Sequence, residues 1–254
     1  MLSPEFESLD CKYVFVGTII SKKYSPDKST FIATFAIETH YKTGDNPHVI
    51  SFSLESEPEF STSWNSCSFY ANIGEKWLVF VRDFQGTLSF SKMCSNSRTL
   101  GRMPLSKFEI QFYENLKRFN AQDYIYQFTF GLTKAIDINN KILSEKLGKI
   151  ESTNIKKPFI FGLYIDSNGK LIEIGKMSNI DIRQDSIFKL INSVKVLQNV
   201  PDTPIEKKII KQIRKMKLWG IKYVSLKMIA VSHFNQIIVY NDPNTKKLTY
   251  RLLL

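Results

Sequence analysis

Residues 11–100 contain a series of short segments in which apolar and polar side chains alternate, with turn signals between them and no helical pattern. The segments "YVFVGTIISKKY", "STFIATFAIETHYK" and "HVISFSLES" share this period of two and are rich in β-branched and aromatic residues. The run "EKWLVFVRD" is almost continuously apolar, which predicts a strand covered on both faces. Such a succession of strands favours a small antiparallel barrel over a parallel sheet.

The pattern changes after residue 104, where the spacing of apolar residues becomes helical. Pro104 precedes "LSKFEIQFYENLKRFN", whose predicted helical face consists of Leu105, Phe108, Phe112 and Leu116. "AIDINNKILSEKLGKIEST" predicts a second helix that ends near Gly148, and "DYIYQFTFGL" before it favours a strand. Residues 105–157 are therefore predicted to be a helical or mixed connecting segment.

From residue 158 onward the pattern predicts strands and helices in one module. "FIFGLYIDSNGKLIEIGKM" is typical of a β-hairpin, in which Asn168-Gly169 predicts a two-residue turn with positive φ. "DSIFKLINSVKVL" and "PDTPIEKKIIKQIRKMKLWG" predict helices, the second with Asp202 or Thr203 as its N-cap. The predicted buried face of that second helix consists of Ile205, Ile209, Ile213 and Met216. "KYVSLKMIAVSHFNQIIVYN" adds two more strands.

The predicted fold class is α+β in two domains. A β-barrel occupies residues 1–104, the connecting segment residues 105–157, and a sheet-and-helix domain residues 158–254. No stretch approaches the length of uninterrupted apolar sequence that a membrane-spanning helix requires, so none is predicted. The first residues also lack the basic region, apolar core and cleavage site of a signal peptide.

Positive charge is concentrated in the C-terminal part of the chain. Residues 1–104 carry 10 Lys and Arg against 11 Asp and Glu, whereas residues 105–254 carry 25 against 13. One interpretation is a patch for nucleic acid, anionic lipid or an acidic partner, and the other is a set of lysine-rich solvated faces. The candidate basic face lies on the helix that follows Pro204 and consists of Lys207, Lys211, Arg214 and Lys215. Trp219 and Tyr223 are near enough in sequence to stack bases beside it.

Two segments of residues 1–100 together carry a family pattern, "FESLDCKYVFVGTI" and "EKWLVFVRDFQGTLSFSKMCSNSRTL". With them, residues 1–100 resemble the bacterial branch of the tissue-inhibitor-of-metalloproteinases (TIMP-like) fold. The matching residues are Cys67, Gly74, Glu75, Leu78, Val79, Phe80, Gly86, Leu88, Cys94, Arg98 and Thr99. This resemblance implies an OB-type barrel and a cell-envelope or extracellular location.

In that family two cysteines near the mature N-terminus, spaced Cys-x-Cys, pair with cysteines at the positions of Cys67 and Cys94. This chain has no such pair, and its only other cysteine is Cys11. Three interpretations remain open: the true N-terminus lies upstream with a signal segment and the missing cysteines; Cys67 and Cys94 pair with each other or stay free; or all three cysteines are buried thiols of a cytosolic protein. Without an N-terminal cysteine, the zinc-chelating inhibition known for the animal members is not implied.

Residues 158–240 contain the hairpin "FIFGLYIDSNGKLIEI", a predicted helix that ends in "IRKMKLW", and closing strands. In this order they are similar to the C-terminal domain of TonB-like periplasmic proteins. Two features depart from the family pattern. The proline that usually follows the tryptophan is absent from "WGIKY", and the stretch between hairpin and helix is longer than expected.

No motif in the sequence indicates catalysis, a metal or a cofactor. His40, His48 and His233 lack metal-ligand spacing, and they are interpreted as two strand-end residues and one exposed strand residue. The carboxylates of "SLESEPEF" fall on alternate residues and would suit a cation on one strand face, but Pro58 favours a solvated edge or loop. No nucleophile elbow, P-loop or dinucleotide fingerprint is present.

The sequence therefore predicts a non-catalytic binding protein of the bacterial envelope or exterior, with an unknown protein partner. Binding through barrel loops or an exposed sheet edge is expected. The alternative is an OB-fold protein that binds single-stranded nucleic acid through its basic C-terminal part.

Overall fold

The computed structural model describes residues 3–55, 57, 60, 70–92, 94–127, 133, 139–151, 157–198, 200, 202–216 and 218–253. The protein is of mixed α and β structure with two antiparallel-rich sheets. The chain forms two compact units, Met1–Phe119 and Asn120–Leu254. Each unit contains one of the two sheets.

The first unit begins with a short helix and continues as a sheet. Its elements are α1 (Pro4–Asp10), β1 (Cys11–Tyr24), β2 (Thr30–His40), β3 (Val49–Glu55), β4 (Lys76–Phe84), β5 (Thr87–Ser89), β6 (Arg98–Thr99) and α2 (Lys107–Asn115). The strand order is β3-β2-β1-β4-β5, β6 pairs with β4, and every pair is antiparallel. The strands predicted from the period of two are confirmed.

This sheet curls because β1 is bulged. The β1–β2 register shifts between Val16 and Gly17 and again between Ile19 and Ser21, and such bulges bend a strand. A Cβ on Gly17 would lie 2.7 Å from the carbonyl oxygen of Ala36, so only glycine allows this close approach. The end strands β3 and β5 come close together, and no hydrogen-bonded pairing between them occurs in the described residues. The sheet is thus a curled half-barrel, and a closed OB-type barrel stays a prediction.

Aromatic rings fill the inside of the curl. Phe15, Phe35 and Phe52 are fully buried, and the rings of Phe35 and Phe52 meet edge to face at a centroid distance of 5.7 Å. Phe90 packs edge to face on Phe52 at 5.2 Å and on Trp77 at 6.0 Å. Edge-to-face packing is the favoured geometry for aromatic pairs, and these large side chains account for much of the buried apolar surface. The alternation of "STFIATFAIETHYK" predicts the inward face of β2 correctly.

The buried face of α2 differs from the prediction. Phe108 is 51% exposed, whereas Tyr113 is buried against Tyr41 and Phe80. Leu116 is buried as expected, in a 3₁₀ turn after the helix. The sequence spacing identified a helix but misjudged its rotation, because the spacing does not say which of its aromatic residues meets the sheet.

The second unit is built around one long central strand. Its elements are β7 (Ile125–Tyr126), α3 (Asn140–Leu147), β8 (Phe159–Ile165), β9 (Leu171–Lys176), β10 (Ile180–Gln184), β11 (Ile191–Val196), α4 (Pro204–Arg214), β12 (Lys222–Val224), β13 (Ile229–Asn241) and β14 (Leu248–Leu253). The sheet order is β10-β11-β7-β13-β8-β9, with β12 and β14 also on β13. Only the β13–β7 pairing is parallel among the described strand pairs.

The two faces of β13 contact different elements. Ile237 and Val239 pack in one cluster with Ile209 and Ile213 of α4 and with α3. Phe234, which points to the opposite face, packs with β7 and β11. Phe234 is therefore covered by the β10–β11 hairpin, while the helices cover the other side.

Two glycines let the β10–β11 hairpin approach the sheet. Gly162 and Gly175 are cross-strand partners on β8 and β9. A Cβ on Gly162 would lie 2.4 Å from the Cδ1 of Ile180, and one on Gly175 would lie 2.7 Å from the Cγ1 of Val196. Any larger residue at either position has to push the hairpin away from the sheet.

The β10–β11 hairpin corrects one prediction from the sequence. "DSIFKLINSVKVL" was expected to be a helix, but Ile191–Val196 forms β11 because its β-branched residues pair with β10 and cover Phe234.

The β8–β9 connection is longer than the predicted two-residue turn. Asp166 Oδ1 accepts hydrogen bonds from the amides of Asn168 and Lys170, and only Gly169 in this turn has a positive φ. Strand β14 was not predicted.

The helices of both units are short. α4 is 11 residues long, and no helix in the described part of the chain has the length and apolarity needed to cross a bilayer. Of the two predicted N-cap candidates, Thr203 is the N-cap of α4, and Pro204 lies in the first turn of the helix. Of the predicted buried face, Ile209, Ile213 and Met216 are buried, whereas Ile205 is half-buried.

Candidate functional site

The local sequence of α4 fixes the direction in which its cations point. Thr203 and Glu206 form a capping box, which sets where the first turn begins. Lys207, Lys211 and Arg214 are spaced i, i+4 and i+7 and therefore lie along one side of the helix. At 1.5 Å of rise per residue, this stripe of charge is about 10 Å long.

The stripe forms one wall of a cavity of about 580 Å³, here called the basic groove. The other walls come from the C-terminal half of β9 and from the chain that leaves β11. Lys176 adds a fourth cation, Asp202 adds a carboxylate, and the apolar lining includes Ile174, Val196, Leu197 and Ile210. The volume lies within the range of pockets that hold small ligands or short peptide segments.

Only part of this charge is neutralised within the protein. Lys176 Nζ lies 2.9 Å from Glu206 Oε2 and 3.9 Å from Asp202 Oδ1. Burial raises the pKa of Glu206, but hydrogen bonds from Lys176 and Thr203 outweigh it and leave this pKa below its ordinary value. Lys207, Lys211 and Arg214 are exposed and have no ion-pair partner among the residues that the structure describes.

The predicted basic face is thus brought together in part. Lys207, Lys211 and Arg214 line the groove, whereas Lys215 is exposed at the end of α4 and does not line it. Lys176 was missed, because it lies on β9 and nothing in the local pattern connects it with α4. The cations that line the groove are therefore three of the four predicted residues together with Lys176 from the sheet.

The aromatic residues expected beside the basic face are not arranged to stack bases. Trp219 is 3% exposed, and its Nε1 donates a hydrogen bond to the carbonyl of Met216 at 3.2 Å. Tyr223 is half-buried and its backbone is hydrogen-bonded to Thr133. No aromatic ring lines the basic groove within the described residues.

A second group of polar side chains lies inside the sheet-and-helix unit. His233 was expected to be exposed, and this prediction is wrong, because β13 is covered on both faces and His233 is fully buried. Neither ring nitrogen of His233 has a hydrogen-bond partner in the described structure. Burial, together with the positive charge of Lys222, lowers the pKa of His233 to about 4. Lys222 is also buried, and its Nζ donates to Asn235 Oδ1 at 3.2 Å.

The carboxylates of "SLESEPEF" are not arranged as a cation site in the residues described. Glu57 is 3% exposed, forms an ion pair with Lys22 and accepts a hydrogen bond from the hydroxyl of Tyr24, so the solvated edge or loop expected here is wrong for this residue. Glu59 lies outside the described residues. Within the described residues no group of three or more His, Cys, Asp or Glu side chains could hold a metal ion. His40 ends β2 as predicted, and its Nε2 lies 2.9 Å from the carbonyl oxygen of Pro47.

The described cysteines are free thiols in two different environments. Cys11 is buried at the start of β1, where burial and the nearby Glu7 carboxylate raise its pKa to about 12. Cys94 is exposed after β5. Cys67 lies outside the described residues, so the interpretations that concern it stay open.

No protein-family model matches the chain, and a search of curated proteins found no match. The resemblances of residues 1–100 and 158–240 therefore depend on their sequence motifs alone. The basic groove is identified as a candidate binding site from the geometry and charge of its own residues.

Proposed function

We propose that the protein is a non-catalytic interaction protein that binds an acidic segment of a protein partner in the basic groove. The observation that carries this proposal is the stripe of Lys207, Lys211 and Arg214 along the wall of a cavity, three cations without an ion-pair partner in the described part of the chain. Like charges held side by side repel one another, and an acidic ligand removes that cost when it binds.

The apolar part of the groove favours a polypeptide over a nucleic acid. Ile174, Val196, Leu197 and Ile210 contribute aliphatic surface, which suits the side chains of a peptide. Sequence-tolerant binding of single strands usually depends on aromatic stacking platforms, and Trp219 is buried. Nucleic acid is therefore the alternative that the test below has to separate.

We also propose, from the TIMP-like and TonB-like resemblances, that this binding takes place in the bacterial cell envelope or outside the cell. The curled antiparallel sheet of the first unit is compatible with a TIMP-like OB-type barrel and supports the proposal to that extent. Fractionation of the native host, with immunodetection of the full chain, tests the location. Recovery with the cytosolic markers alone would overturn it.

The binding test uses a charge reversal in the groove and a matched reversal outside it. Lys211→Glu changes the centre of the stripe, and Lys208→Glu changes an exposed lysine of α4 that does not line the groove. The probes are a fluorescein-labelled octa-glutamate peptide and an octanucleotide of thymidine. We expect Lys211→Glu to weaken peptide binding about tenfold or more and Lys208→Glu to change it less than about twofold.

Two outcomes contradict the proposal. One is an equal loss of peptide affinity in both variants, which would show a general charge effect without a site. The other is tighter binding of the oligonucleotide than of the peptide at the same salt concentration, which would favour the nucleic-acid alternative.

A further inference from the structure

Arg214 lines two cavities at once. It is the last residue of the cationic stripe in the basic groove, and it also lines a neighbouring cavity of about 690 Å³, here called the second cavity. The second cavity is further lined by Asp166, Asn168, Lys170, Leu171, Met216 and Leu218. The two cavities therefore share the Arg214 side chain, which places the second cavity beside the C-terminal end of the cationic stripe.

The second cavity differs from the groove in its chemistry. Leu218 is 58% exposed on its rim, and Leu171 and Met216 add further apolar surface. Among the described residues that line it, the charges apart from Arg214 are one Asp166 carboxylate and one Lys170 ammonium. Asp166 Oδ1 already accepts two backbone hydrogen bonds within the β8–β9 turn, so the carboxylate serves the turn. The cavity suits an aliphatic side chain better than a charged one.

The rim of the second cavity is held by main-chain contacts. Trp219 N donates to the carbonyl of Gly169 at 2.6 Å, and Lys170 and Leu218 form a β-bridge. The turn and the segment after α4 are therefore fixed to each other before any ligand binds. A preorganised apolar rim lowers the entropic cost of binding.

Resting on the function proposed above, we infer that the acidic partner segment continues past Arg214 and places an aliphatic side chain against Leu218. The stripe from Lys207 to Arg214 is about 10 Å long, which an extended chain spans with about three residues at 3.3 Å each. The recognised pattern is thus a short acidic run followed closely by Leu, Ile or Val. Charge supplies the attraction in the groove, and burial of apolar surface supplies the specificity at its end.

The test compares two labelled peptides, Glu-Glu-Glu-Glu-Ser-Leu-Leu and Glu-Glu-Glu-Glu-Ser-Ser-Ser, on the full chain. Leu218→Ser removes the apolar rim, and Leu226→Ser is the matched control at another exposed leucine, outside both cavities. We expect the leucine peptide to bind about tenfold more tightly than the serine peptide to the wild type and to the control. In Leu218→Ser this ratio falls to about one, with the affinity for the serine peptide unchanged.

The outcomes separate this inference from the proposed function. If both peptides bind equally well and Lys211→Glu still weakens them, the inference fails and the basic groove stands. The inference also fails if the leucine advantage survives in Leu218→Ser. If neither peptide binds, or if Lys211→Glu has no effect, the proposed function fails with it. Circular dichroism and the thermal midpoint confirm that each variant is folded before its affinity is compared.

Discussion

The ammonium of Lys176 on β9 lies 2.9 Å from a carboxylate oxygen of Glu206 in the first turn of α4. The same oxygen, Oε2, accepts a hydrogen bond from the amide of Thr203. One carboxylate therefore caps the helix, holds it against the sheet edge and neutralises one of the four cations of the basic groove. This ion pair joins two walls of the basic groove, and the other three cations have no ion-pair partner among the described residues.

Removing the charge of Glu206 tests this double role. Glu206→Gln keeps the shape of the side chain but leaves the half-buried Lys176 without its nearest carboxylate, so we expect the free energy of unfolding to fall by about 1 to 2 kcal/mol at pH 7. Because the folded-state pKa of Glu206 lies below its ordinary value of 4.5, its contribution is present above that value and is lost as the pH falls through the folded-state pKa. Urea denaturation from pH 7 to pH 3 measures both effects. An unchanged stability at pH 7 would contradict the role of this pair.

Acid should destabilise the second unit through His233. Its folded-state pKa of about 4 lies below its ordinary value of 6.5, so the stabilisation is complete above pH 6.5 and is lost as the pH falls toward 4. We expect the free energy of unfolding of the wild type to fall by about 2 to 3 kcal/mol across this window, and to fall by less in His233→Leu. The control His48→Leu changes an exposed histidine and should show the same loss as the wild type. Chemical denaturation at closely spaced pH values measures it. The same pH dependence in His233→Leu as in the wild type would exclude His233 as its origin.

Replacing Lys222 should change both the stability and the titration of His233. Lys222 is buried without a carboxylate partner in the described structure, and burial lowers its pKa. The double replacement Lys222→Met/Asn235→Leu removes the buried charge together with its hydrogen-bond partner, so we expect it to stabilise the protein by about 1 kcal/mol at pH 7. It should also raise the pKa of His233, because the Lys222 charge is one cause of its low value. An NMR titration of the His233 ring measures this shift, and a pKa that stays where it is would show that burial alone sets it.

The glycine pair beneath the β10–β11 hairpin should be intolerant of side chains. Gly175→Ala brings a Cβ to within 2.7 Å of Val196, and we expect it to lower the free energy of unfolding by about 1 to 3 kcal/mol. Gly44→Ala is the control, since a Cβ there meets nothing within 4 Å. The double variant Gly175→Ala/Val196→Ala should recover part of the loss, because it removes the atoms that clash. Additive losses in the double variant would show that the hairpin does not press on Gly175.

The thiols should differ strongly in reactivity. Cys94 is exposed, whereas Cys11 is buried with a pKa of about 12, so we expect native-state alkylation at pH 8 to modify Cys94 at least about a hundredfold faster than Cys11. Mass spectrometry of the digested, reduced protein distinguishes the two sites. The same digest without reduction tests the alternative in which Cys67 and Cys94 pair with each other, because a bonded Cys94 would not be alkylated. Rapid labelling of Cys11 would mean that the start of β1 opens readily.

Local patterns in the sequence were sufficient where neighbouring residues decide the outcome. The strands β1 to β3 follow from alternation and β4 from its continuous apolar run, and α4 follows from its N-cap, its proline and its isoleucine spacing. Three of the four predicted basic residues lie together because a spacing of i, i+4 and i+7 fixes their side of the helix wherever the helix packs.

Contacts between distant segments decided the rest. β11 is a strand because β10 and Phe234 are available to it, and residues 185–197 do not contain that information. Lys176 joins the basic groove because α4 packs beside β9. His233 is buried because β13 is covered on both faces. The sequence alone determined where charge and periodicity lie along the chain. Tertiary structure decided which charges meet, which are buried and which stay unpaired, since burial and pairing depend on neighbours that are far apart in the sequence.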